Sequence, residues 1–239
     1  MDEPLATARA VLRARYQQST AAVLGRSVLG PTRTPTSDLD LVVLLPGAAP
    51  RWEAFEAAGW LAEAFVSGPA GWERYVGREI RQRRPGVLHL TATGVALTTG
   101  PTTEQLQQHA QQLLAAGPPA PTPQEVRLAR RLLTDLVDDL RGGLTGLEHV
   151  LVVDAITRQT AELALLVEHA WLGSGKWLAR QLAAVDSSLA EDLAAAADAA
   201  QPGKAPALIS VAEQVLERAG GPLRAGWTDP LEELHTEVE

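Results

Sequence analysis

Two aspartates, Asp38 and Asp40, stand at the head of the apolar run Leu41-Val42-Val43-Leu44-Leu45, and a solitary glutamate, Glu63, interrupts a second apolar run from Trp60 to Val66. Side chains two residues apart on a strand leave the same face, so Asp38 and Asp40 can act on one object. Carboxylates that close repel each other and raise one pKa unless a cation neutralises them, and an all-oxygen donor set of this kind suits a hard divalent ion such as magnesium. Glu63, on the neighbouring predicted strand, can supply a third oxygen. An isolated D-x-D is more often a pair of solvated carboxylates at a strand end. The context here is fuller: the apolar segment "TAAVLG" leads into Gly25-Arg26-Ser27, Asp38 lies eleven positions after Ser27, and an S-D-x-D step enters the apolar run.

The elements that must position these side chains can be read from spacing and punctuation. Leu5, Ala8, Val11, Leu12 and Arg15 predict a first helix ending near Gln18. "TAAVLG" reads as a strand, and Pro31, Pro35 and several threonines break regular structure as far as Ser37. A strand then starts at Asp38 and stops at Pro46-Gly47, and "RWEAF" and "GWLAEAFV" form a hairpin about Ala57-Ala58-Gly59. "PAGWERYVGREIRQRR" predicts a helix ended by Pro85-Gly86, followed by a short helix to about Ala92 and a strand over Val95 to Thr98. "TTEQLQQHAQQLLAAG" carries a capping signature and closes on Gly117.

Pro118 to Pro123 is the linker candidate. Thr122-Pro123-Gln124-Glu125 then starts a helix whose Leu128, Leu132, Leu133, Leu136 and Leu140 make one face and which Gly142-Gly143 ends. Further helices are expected over Leu147 to Trp171 and Lys176 to Ala184, with two more before Gly220-Gly221. The fold class is therefore α/β. A small mixed-sheet domain covers 1–117, a linker 118–123, and a helical bundle 124–239.

Composition narrows the function classes. The chain has 239 residues, 46% of them apolar, enough for a substantial core. Its net charge of −8 argues against nucleic acid as the main partner and for a cationic or metal-bridged one. With no cysteine, thiol catalysis and zinc-thiolate sites are excluded and nothing points to an oxidising compartment. The charged, amphipathic start has no apolar leader core, and no window is apolar over a membrane's width, so a cytoplasmic protein without a membrane partner is expected.

The ensemble resembles the nucleotidyltransferase superfamily, to which DNA polymerase β and the aminoglycoside nucleotidyltransferases belong. The resemblance rests on Ser27, Asp38, Asp40 and Glu63 and spans roughly residues 20 to 100. Gln82-Arg83-Arg84-Pro85, "GSGKWLARQL" and "AGGPLRAGW" are similar to bacterial members with a helical C-terminal domain. It implies a magnesium-dependent enzyme that moves a nucleoside monophosphate from a nucleoside triphosphate to a hydroxyl of a small acceptor, releasing pyrophosphate. Asp38, Asp40 and Glu63 would be the catalytic and metal-binding acids, and Ser27 with its backbone N–H groups would hold the outer phosphates. The acceptors of the aminoglycoside enzymes are cationic sugars, which an acidic protein would attract.

The chain departs from the family at one place. Arg26 stands where the family has glycine before serine, and Gly25 lies one position early. Arginine can hinder the backbone's approach to a triphosphate or donate charge-assisted hydrogen bonds to it, and a one-residue shift can let Gly25 take over. Pro31 and Arg33 also replace common glycines and stiffen the turn. One rival reading is a degenerate nucleotidyltransferase fold that binds a nucleotide or a protein partner without turnover; a second is an enzyme that modifies a protein or a tRNA end, which the net charge of −8 weakens and the local arginines favour.

Other signals are weaker. Gly173-Ser174-Gly175-Lys176 is not a P-loop, because Ala170 stands where the first glycine belongs and Trp177 where Ser or Thr does. Lys176 remains a candidate phosphate contact, against an ordinary lysine at a helix start. Arg74, Arg78, Arg81, Arg83 and Arg84 read as a solvated helix face. The five histidines show no ligand spacing, and Trp171 and Trp177 read as packing. Asp138, Asp139 and Glu162 are the acids of the helical half that a reaction could use as a base.

Overall fold

The computed structural model describes residues 3–30 and 33–228. The chain divides into two compact units, Met1–Pro119 and Ala120–Glu239. No helix among the described residues is long and apolar enough to cross a membrane.

The first unit is a five-stranded mixed sheet with helices on both faces. The strands are β1 (Ala21–Leu24), β2 (Leu39–Leu44), β3 (Arg51–Ala57), β4 (Trp60–Ser67) and β5 (Val95–Ala96), in the order β3-β4-β2-β1-β5. Only β2 and β4 run parallel; the other neighbours are antiparallel. β3 and β4 are joined by Ala58 (φ 48°) and Gly59 (φ 80°), two consecutive left-handed residues that match the strands' twist. One sheet face, with Leu41, Val43, Ala64 and Val66, packs on Ala8, Val11, Leu12 and Tyr16 of helix α1 (Glu3–Arg15). The other lies against α2 (Pro69–Arg81), where Phe65 meets the ring of Tyr75 at 4.6 Å, and α3 (Gly86–Thr93). Helix α4 (Pro101–Ala116) completes the unit.

α3 is only eight residues long, too short to be stable alone, and its ends are satisfied from outside. The Glu79 carboxylate of α2 accepts the N–H groups of Val87 (2.7 Å) and Leu88 (2.9 Å) at its start. Burial pushes the Glu79 pKa up, and these N–H bonds oppose that shift. At its end, Gln107 donates to the carbonyls of Thr91 (3.3 Å) and Gly94 (3.0 Å), and Gln111 to that of Ala92 (3.0 Å).

Among the described residues the second unit holds α5 (Pro123–Arg141), α6 (Gly146–Val167), α7 (Lys176–Val185), α8 (Ser187–Asp198) and α9 (Pro206–Arg218). Thr122 and Glu125 cap α5 reciprocally, at 3.2 Å and 2.7 Å. After α9 the chain folds back on α5: Leu223 N–H reaches Thr134 Oγ1 at 3.0 Å and Arg224 grips Asp138 at 2.7 and 2.8 Å.

Several expectations shift. α1 ends at Arg15, before Gln18, and α6 at Val167, before Trp171. β5 is confined to Val95–Ala96, because Thr98 turns its hydroxyl to the Ala22 N–H (2.9 Å) and Thr103 (2.7 Å). α4 starts at Pro101 behind Gly100, without a side-chain cap. On α5 the buried residues are Leu133, Thr134, Val137 and Leu140, whereas Leu128 and Leu132 are exposed. Arg83 is not on a solvated face. It is buried at φ 57° and donates Nε to the Pro119 carbonyl at 3.1 Å.

Candidate metal and phosphate site

Sheet register gathers the three acids. Asp40 and Glu63 are direct partners across the parallel β2–β4 pair, so their side chains leave the same face side by side. Asp38, two residues before Asp40, joins them at the open end. Each of the three offers a carboxylate oxygen lying within 4.8 Å of the others, and all three are half-buried. Neither the Asp38 nor the Glu63 side chain forms an ion pair or hydrogen bond with a described residue. A half-buried, all-oxygen set of three carboxylates fits a hard divalent cation.

The turn after β1 lies on the other flank of β2. Gly25 donates its N–H to the Asp40 carbonyl at 2.8 Å and precedes a single 3-10 turn, Arg26–Val28. Its φ of −58° is open to any residue, so its requirement is space. A Cβ there would sit 2.9 Å from Leu90 Cδ2 and 3.1 Å from Asp40 Cβ. Glycine at 25 thus lets the turn press against both β2 and α3. Ser27 directs its hydroxyl to Asp40 Oδ2 at 3.4 Å.

Arg26 is exposed and points at α3, where its Nε donates to the Thr93 carbonyl at 2.6 Å. A guanidinium at a helix C-terminus complements the dipole, as Glu79 does at the N-terminus. His89, one turn before Thr93, is half-buried, and burial holds its pKa below the ordinary imidazole range.

The structure therefore groups Gly25, Ser27, Asp38, Asp40 and Glu63 about one end of β2 and ties Arg26 to the wall behind them. Lys176 belongs to the second unit, exposed at the first position of α7. Of the other acids considered, Asp138 is held below the usual carboxylate range by Arg224, with Arg141 adding to the effect, which suits a structural anion better than a base. Pro31 lies outside the described residues. Arg33 lies over the Trp60 ring at 4.8 Å, pinning the loop before Asp38 to the start of β4. The support for α3 was not read from the sequence. Its one local signal was Glu79, an acid among the arginines of α2 seven residues before α3 begins.

No protein-family profile and no curated protein matches the chain. Among solved structures, that of a nucleotidyltransferase-like protein from Exiguobacterium sibiricum 255-15 is similar to it, with a TM-score of 0.44 and 15% identity, over 90% of this chain and 73% of that one.

Proposed function

We propose that this protein is a magnesium-dependent nucleotidyltransferase that moves a nucleoside monophosphate from a nucleoside triphosphate to a hydroxyl of a small acceptor. The observation that carries this reading is the convergence of Asp38, Asp40 and Glu63 within 4.8 Å, beside a tight glycine-serine turn. Asp38 and Asp40 would hold the cation on the triphosphate side, and Glu63 would complete its coordination on the acceptor side. Bound magnesium would neutralise the phosphates and make the acceptor hydroxyl easier to deprotonate. Ser27 and the N–H groups of its turn would receive the outer phosphates. A bond forms from the acceptor oxygen to the α-phosphorus as the bond from that phosphorus to pyrophosphate breaks, and the hydroxyl proton leaves to solvent or a base.

The rival, binding without turnover, rested on an arginine occupying the phosphate position. The Arg26 bond to Thr93 gives that side chain a different task and weighs toward turnover. The test is pyrophosphate release from α-labelled triphosphates with magnesium across a panel of hydroxylated acceptors. Release that persists in Asp40→Asn would defeat the proposal.

A further inference from the structure

Among the described residues up to 119, only two large apolar side chains are exposed, Trp52 (49%) and Leu61 (48%), and both lie on the sheet face that carries the acids. The register fixes this. Leu61 stands two residues before Glu63 on the same face of β4 and pairs with Glu56 of β3, Glu63 pairs with Ala54, and Phe65 with Trp52. Along β3 the side chains on this face, Trp52, Ala54 and Glu56, are all exposed, whereas Glu53, Phe55 and Ala57 on the other are half-buried. Trp52 is not loose: its ring meets Phe65 edge-on at 5.6 Å and its Nε1 reaches the Tyr75 hydroxyl at 3.4 Å. Ala54, between Trp52 and Glu56, leaves a notch beside Glu63. The result is a fixed apolar shelf with one carboxylate at its rim, starting where the three acids end.

Strand order says what could lie there. The turn carrying Ser27 follows β1, on one flank of β2, while the shelf is built from β4 and β3, on the other. An in-line displacement needs the incoming hydroxyl opposite the leaving pyrophosphate. With the outer phosphates at the Ser27 turn, the hydroxyl must approach from the Glu63 side, over the shelf. We infer that Trp52, Ala54 and Leu61 form the resting place of the acceptor, which carries a flat apolar ring beside its reactive hydroxyl and a hydrogen-bond donor or positive charge toward Glu56. This rests on the reading given under Proposed function.

The probes are glucose and phenyl glucoside, which differ by one apolar ring, with a magnesium-bound non-hydrolysable triphosphate measured in parallel. Saturation-transfer NMR on the wild type should show the ring protons of phenyl glucoside in contact and glucose much less so. Trp52→Ala or Leu61→Ser should each weaken that contact by about five- to tenfold, the worth of one lost ring or aliphatic face. The triphosphate's Kd should stay within about twofold in both variants. Equal binding of the two sugars, or ring contact that survives both substitutions, overturns the inference. If Trp52→Ala instead weakens the triphosphate, the shelf takes the nucleobase and the acceptor assignment is wrong. A wild type that binds phenyl glucoside but no magnesium triphosphate would leave the ring-binding shelf standing and remove the nucleotidyltransferase reading.

Discussion

The two faces of the β3–β4 hairpin treat the same functional group in opposite ways. On the α1 face, Glu53 accepts the Tyr16 hydroxyl at 2.7 Å and Arg51 Nε at 2.7 Å, with Arg15 at 3.4 Å. Partial burial works against its ionised form, yet the bonds from Tyr16, Arg51 and Arg15 hold its carboxyl below the ordinary range. On the opposite face, Asp38, Asp40 and Glu63 converge on one another, with no described cation paired to Asp38 or Glu63. The first arrangement lowers the free energy of the fold. The second gathers like charges, an arrangement that a bound cation would stabilise. A carboxylate's chemistry is thus set by what its register places opposite it, not by its residue type.

The largest test of that contrast is reciprocal. Asp38→Asn should cut magnesium-dependent transfer at least about a hundredfold, since the cation loses a ligand that acts in the transition state. In metal-free buffer its melting temperature should be unchanged or higher, because a repulsion is relieved. Glu53→Gln should do the reverse, leaving turnover near wild type and lowering stability by about 1 kcal/mol. Thermal melts with and without magnesium, beside an activity assay, read both; a fall in metal-free stability for Asp38→Asn would make that acid structural.

Within the triad, Glu63→Gln should slow turnover more than it weakens triphosphate binding, by about tenfold or more in kcat with Kd nearly unchanged. Equal loss in both would place Glu63 on the triphosphate side and undo the division of roles.

The structural face has its own signature in alkali. The Tyr16 pKa is pushed up to about 12 from 10.0, by burial first and then by the Glu53 carboxylate. A raised folded-state pKa means that the stabilisation is complete below the unfolded value, near pH 10, and lost as pH rises toward 12. That amounts to about 2–3 kcal/mol across the window. Tyr16→Phe should flatten the stability profile there, and a wild-type profile already flat between pH 10 and 12 would contradict the assignment.

These expectations draw on features of unequal legibility. The same-face placement of Asp38 and Asp40 follows from a strand's period of two, and the Ala58-Gly59 turn from the left-handed conformations a two-residue hairpin demands. Register is another matter. That Glu63 falls opposite Asp40, and Trp52 and Leu61 on the acids' side, depends on a parallel pairing across a connection that sequence pattern does not specify. The exposed Leu128 and Leu132 show the limit of helical periodicity, which finds a leucine-rich side of α5 but not which part of it another helix covers. α3 depends almost wholly on partners outside it, with Glu79 before it and Gln107 and Gln111 after it, and of these only Glu79, an acid among the arginines of α2, leaves a mark in the local sequence.

The smallest effect concerns Arg26, which belongs to both regimes, because it is bonded like a structural residue and located like a functional one. Its Nε bond to the Thr93 carbonyl ties the Ser27 turn to the end of α3, whose Leu90 meets Gly25 behind Asp40. If that tie is its role, Arg26→Ala should cost about 0.5–1 kcal/mol of stability, the usual worth of an exposed charge at a helix terminus. It should weaken the magnesium triphosphate only modestly, through a looser turn. Arg26→Gly should lose slightly more, since glycine adds freedom to the unfolded chain. Arg26→Lys separates charge from geometry: it keeps a cation near the phosphates but lacks the planar Nε donor, so it should resemble alanine. A direct phosphate ligand predicts another pattern, with unchanged melting, binding weakened by about 1.5–3 kcal/mol in alanine and largely restored by lysine. An obstructing side chain predicts a third, in which Arg26→Gly binds the triphosphate more tightly than wild type. Calorimetric titration and thermal melting of the three variants distinguish these cases, and only the first leaves the turn and α3 acting as one support for the acids.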